Sequence, residues 1–123
     1  MAFAKKAPIV IGQDEAERTK LGWKSGESIT IKASVTTQDI DAVAHADKIG
    51  RSTQVTLERF IQNWVLFNDE NMPVNLSPEA IALLDVEYVI PVSQRIEQLM
   101  NKVLPAQALQ NFTSAATKPS SVS

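Results

Sequence analysis

Between Ser28 and Val35 the apolar side chains fall on every second residue, and beyond Val35 they fall on every third or fourth. Ile29, Ile31, Ala33 and Val35 share one face of the first segment, and Ser28, Thr30, Lys32 and Ser34 share the other. Period two with one polar face describes a half-exposed antiparallel strand. Ile40, Val43 and Ala44 then follow the i, i+3, i+4 spacing of a helix. A chain that changes period in this way reads as α+β: a small N-terminal antiparallel sheet or hairpin packed on a C-terminal helical bundle. Its 123 residues suffice for one domain with a real core. That domain is expected over 1–112. The Thr, Ser, Ala, Lys and Pro of 113–123 cannot offset the entropy of ordering, so a disordered tail is expected there.

Local signals divide the chain further. Pro8–Ile11 is a short β-branched run closed by Gly12, and Gln13–Arg18 reads as a loop or a turn of helix. Lys24-Ser25-Gly26-Glu27 is a turn signal, which makes Thr19–Trp23 the expected partner arm of a hairpin with the Ser28 strand. Thr36 or Thr37 can cap the next helix, with Asp39 and Asp41 near the positive end of its dipole. From about Thr53, the residues Leu57, Phe60, Ile61, Trp64 and Val65 form a core-facing stripe that predicts one helix through Val65. Asn68–Asn75 is a loop. Ser77-Pro78-Glu79 supplies a cap, a proline at the first helical position and an acid in the first turn. Pro91 predicts that a helix kinks or begins there, and Val92, Ile96, Leu99, Met100 and Val103 continue a regular spacing up to Pro105.

Reactive side chains are scarce. There is no cysteine, so no thiolate nucleophile, disulfide or Cys-based metal site is available. The single histidine, His45, rules out multi-His sites. Asp41 lies four residues before it, so a general-base pair is conceivable, but no nucleophile or metal set accompanies it. Asn68-Asp69-Glu70-Asn71 lacks the glycine and distal glutamate of an EF-hand loop and reads as a turn. The four glycines form no phosphate loop. No catalytic residue, cofactor or metal is therefore expected.

A net charge of −2 gives no bulk field for nucleic acid. No signal-type h-region or membrane-length apolar stretch is present, so a cytoplasmic location and no membrane partner are expected. Charge is nevertheless uneven. Residues 68–89 carry Asp69, Glu70, Glu79, Asp85 and Glu87 without one basic residue.

Trp64-x-Leu66, Asp69-Glu70, Pro73-Val74 and Leu76-Ser77-Pro78-Glu79-Ala80-Ile81, closing on Leu84, resemble the middle of tail assembly chaperones of long-tailed, siphovirus-like bacteriophages. In that family a helix ends in tryptophan, followed by an acidic turn, a proline and a Thr/Ser-Pro-Glu helix start. The step from Ile29–Val35 into Thr37-x-Asp39-Ile40 is similar to the family's opening strand and helix. The resemblance covers residues 28–104. Where many relatives have a glycine in the acidic turn, this chain has Asn71-Met72.

The resemblance implies a non-enzymatic protein of the host cytoplasm that is absent from the mature virion. Such proteins hold the long, aggregation-prone tape measure protein, and a frameshift-extended form recruits tail tube subunits; a homo-oligomer is compatible with this. The alternative is a structural virion protein of the tail or head–tail connector, or a small adaptor. For a holdase, the candidate partner-binding residues are Asp69, Glu70, Glu79, Asp85 and Glu87, with Met100 and Leu104 as adaptable apolar contacts.

Overall fold

A computed structural model describes residues 6–103, with side chains described to Asn101. The expected tail over 113–123 and Leu104 lie outside the described residues. The architecture is α+β. A three-stranded antiparallel sheet has the order β1 (Ile9–Ile11), β2 (Ser28–Ile31), β3 (Ile61–Val65). Among the described residues five helices accompany it: α1 (Glu15–Leu21), α2 (Thr37–Lys48), α3 (Ser52–Phe60), α4 (Pro78–Ala82) and α5 (Val86–Val103). Ile29 and Ile31 of the central strand are fully buried, against Leu57 and Phe60 of α3 and Val92 and Ile96 of α5 in one core.

The strand expected over Ser28–Val35 stops at Ile31, because its partners there, Ile9 and Ile61, are the first residues of β1 and β3. Two further expected elements are corrected. Thr19–Trp23 is not a hairpin arm, because α1 runs through Leu21. Asp14 caps α1 by accepting the Glu17 N–H, and Gly22 closes it in the left-handed conformation, φ +76°. Gly12, at φ +79°, then lets the chain pass against Trp23: a Cβ there would lie 2.8 Å from the Glu27 carbonyl oxygen and 2.9 Å from the indole.

The second correction concerns the apolar stripe from Leu57 to Val65. The helix ends at Phe60, and Ile61–Val65 forms the third strand. Ile61 pairs with Ile31 and Trp64 with Ile29, and the register slips between Thr30 and Ile31, so Gln62 is the extra residue. That bulge resets the alternation. Ile61 and Trp64, three apart, consequently both face the core, a spacing that imitates a helix. Val65, assigned to the same stripe, is exposed.

Other boundaries follow the local signals. Thr36 accepts the Asp39 N–H while the Asp39 side chain accepts the Thr36 N–H, a complete capping box for α2. Ser77 caps α4 with Pro78 at its first position. Pro91 neither breaks nor starts α5, which is helical on both sides of it. A proline leaves the carbonyl four residues earlier without its helical donor. Here that carbonyl belongs to Glu87, and it accepts instead from the Trp23 indole Nε1 at 2.9 Å.

Candidate functional site

The acidic segment 68–89 is built as a hairpin followed by a helical corner. Phe67 and Pro73 bridge, the Val74 N–H donates to Leu66 at 2.9 Å, and the Asn68 N–H donates to Met72 at 2.9 Å. At the tip, the Asn68 side-chain oxygen accepts from the backbone N–H groups of Glu70 and Met72. This Asx-type closure is what a turn requires. Asn71 takes the left-handed conformation, φ +61°, which asparagine tolerates better than most residues. It thus serves where a glycine would be the usual choice. The Trp64 indole donates to the Val74 carbonyl at 2.8 Å and fastens the hairpin's return arm to the sheet.

Buried polar groups hold this hairpin and the start of α5 against the N-terminal turn. Glu27 is fully buried. Its Oε1 accepts from the Lys24 backbone N–H and the Tyr88 hydroxyl, both at 2.7 Å, and its Oε2 accepts from the Phe67 N–H at 3.0 Å. The Lys24 ammonium donates to the Asn68 carbonyl at 2.7 Å. Trp23 and Tyr88 stack obliquely with ring centroids 5.1 Å apart. Burial, then the hydrogen bond to Glu27 and the negative charges of Glu27, Glu87 and Asp85, push the Tyr88 phenol well above the ordinary tyrosine range.

On this frame Asp69, Glu70, Glu79, Asp85 and Glu87 are all exposed, and none makes an ion pair among the described residues. Asp69 and Glu70 sit at the hairpin tip, Glu79 in the first turn of α4, and Asp85 and Glu87 at the start of α5. Met100 is half-buried against the core, which limits it to a partial contact. His45 and Asp41 are exposed and share no hydrogen bond. Among the described residues no three His, Asp or Glu side chains cluster in a metal-holding arrangement, and no helix is long and apolar enough to cross a membrane.

Three residues escaped the sequence reading. Leu83 is 83% exposed, Val86 67% and Ile90 53%, and they fall between and beside the same acids. One signal was available. Leu83 and Leu84 are adjacent, so their side chains leave a helical backbone about 100° apart, and it is Leu84 that packs on the core. Likewise Val86 and Ile90, four apart, follow a row different from Val92 and Ile96. Glu27 also went unnoticed, because a glutamate in a turn signal carries no mark of burial.

No protein-family model, curated protein or solved structure matches this chain.

Proposed function

We propose that this chain is a non-enzymatic tail assembly chaperone of a long-tailed bacteriophage, working in the host cytoplasm on the tape measure protein. In this reading a frameshift-extended form brings in tail tube subunits, and the chain leaves before the virion is finished. The observation that carries the reading is the surface over residues 69–90. The same stretch of chain carries five exposed acids, none ion-paired among the described residues, and Leu83, Val86 and Ile90, large apolar side chains that the fold leaves in solvent. A holdase requires accessible apolar surface, and a rim of one charge sets orientation and excludes wrong partners. The motif resemblance over Trp64–Leu84 supplies the identity of the partner, and it coincides with the hairpin and α4 that carry part of this surface.

Co-expression with the tape measure protein tests the reading. The chain should keep that protein soluble. Reversing Asp69, Glu70 and Asp85 together to lysine should lower the soluble yield and leave the residual complex less sensitive to salt. These side chains are exposed, so the triple variant should retain a wild-type circular dichroism spectrum. A tape measure protein equally soluble without the chain would end the proposal. Stoichiometric presence of the chain in purified particles would make it a structural virion component instead.

A further inference from the structure

An open groove of about 590 Å³ runs between the N-terminal half of α3 and the α4–α5 corner. Leu57, Ile81, Leu84 and Val89 line it, with Glu58 and Glu79 at its sides and Arg51 as its one lining cation. Gln54 crosses from α3 to donate to the Pro78 carbonyl at 3.2 Å, so the two walls are tied at that end. Exposed apolar residues neighbour the lining along the chain. Leu83 lies between the lining residues Ala82 and Leu84, and Val86 stands one helical turn before Val89.

We infer that this groove and the row Leu83–Val86–Ile90 form a docking site for a cationic amphipathic helix of a partner protein. Deepening the chaperone reading, the inference rests on it only for the partner's identity, and the site's chemistry stands apart from it. Three features select the occupant. The walls are helices, and no residue of β1, β2 or β3 lines the groove, so an extended peptide would find no strand edge to join. A helix satisfies its own backbone and presents only side chains, so its apolar stripe at i, i+3, i+4 spacing can meet Leu84, Val89 and the exposed row. Charge then fixes the polar side of that helix. Glu58 and Glu79 line the groove, Asp85 and Glu87 flank Val86 in the chain, none is ion-paired among the described residues, and Arg51 is the one cation of the lining. Lysines or arginines flanking the apolar stripe complement this rim, whereas an acidic helix or an anionic lipid surface is repelled by it.

The test uses the full chain and three synthetic 18-residue probes: a leucine–lysine amphipathic helix, a scrambled peptide of the same composition, and the same helix with glutamate for lysine. Fluorescence anisotropy should register binding of the first probe only, weakening as salt rises. Leu83→Ser with Ile90→Ser should weaken it at least tenfold, and Glu79→Gln with Glu87→Gln should weaken it less while flattening its salt dependence. All four positions are exposed, so the variants should unfold at the wild-type denaturant midpoint. Ile49→Ser, at an exposed apolar residue outside the groove, is the control and should change nothing.

Equal binding of the scrambled probe, or of the glutamate probe, overturns the inference. So does a concentration-dependent dimer abolished by Leu83→Ser, which would assign the surface to a second copy of this chain. Co-expression with the tape measure protein separates the two proposals. If the chain keeps that protein soluble and the groove variants do so equally well, the docking site is wrong and the chaperone reading survives. If the groove variants lose the cationic probe but the tape measure protein is insoluble even with the wild-type chain, the docking site stands and the chaperone reading fails.

Discussion

Asp39 and Glu27 are both buried, yet Asp39 sits between two cations while Glu27 accepts only from neutral donors. Lys32 and Arg59 both donate to Asp39, the latter at 2.9 Å, and the Thr36 N–H adds a third bond. Lys32 also lies 5.0 Å from the centre of the Phe60 ring. The cluster therefore joins the end of β2 to the start of α2 and the last turn of α3. Glu27 instead joins the turn at 24–27 to Phe67 in the hairpin and to Tyr88 in α5, across sequence separations of 40 and 61 residues. The two sites differ in what remains when the carboxylate is lost. The Asp39 cations are 21% and 34% exposed at the side chain and can return to water. Two of the three donors facing Glu27 are backbone N–H groups, which cannot swing out as a long side chain can, and a donor left unpaired beside a buried site costs more than the bond was worth.

The largest expected effect follows from that asymmetry. Glu27→Leu keeps the volume near Tyr88 but leaves two backbone N–H groups and a phenol without an acceptor. It should lower stability by about 3–5 kcal/mol, measured by urea unfolding. The hairpin amides around Phe67 should also lose protection in hydrogen exchange, since Glu27 is what holds them. A loss smaller than that of Asp39→Asn would reverse the comparison.

Next in size is Asp39→Asn, at about 2 kcal/mol, and here pH supplies the signature. Burial alone would raise this carboxyl, but the hydrogen bonds from Lys32, the Thr36 backbone and Arg59 outweigh it, lowering the pKa from 3.8 to about 2. A depressed folded-state pKa contributes stability that is complete above the unfolded value near 4 and disappears as pH falls through 2. The shift corresponds to about 2 kcal/mol. Unfolding curves from pH 7 to pH 2 should therefore converge for wild type and Asp39→Asn at the acid end. A constant gap between them would remove the ion pairs from the account.

The smallest effect belongs to Tyr88→Phe. It removes one of the three donors to Glu27 and should cost about 1–2 kcal/mol. In a double-mutant cycle the same change should cost much less once Glu27→Leu is present, because the two side chains act through one bond. Simple additivity would mean that Tyr88 stabilises the fold through its ring contact with Trp23 instead.

Much of the local structure was legible before any coordinates. The cap at Thr36 and the Ser77-Pro78 helix start depend on neighbours within four residues and appear where the spacing predicts them, whereas the strand expected over Ser28–Val35 forms only over Ser28–Ile31. The acidic surface was legible for a similar reason: five carboxylates in 22 residues without a cation have no local way to be neutralised. The apolar half of the candidate site was not. Leu83, Val86 and Ile90 are ordinary core residue types, and only the direction from which α4 and α5 meet α3 leaves them outside.

What the sequence determined by itself is thus the α+β class, the starts of α2, α3 and α4 and the run of negative charge, all set by steric and electrostatic effects of short range. Three decisions belonged to the tertiary structure. Ile61–Val65 became a strand because β2 offered a free edge and a bulge could align Ile61 with Trp64. Pro91 stayed inside a helix because Trp23, 68 positions earlier, satisfies the carbonyl it leaves free. Glu27 became a buried anchor because its three donors come from segments that meet only when the core closes. In each case a hydrogen-bonding group or apolar face had a satisfactory local alternative, and long-range packing selected between them by supplying or withholding the partner.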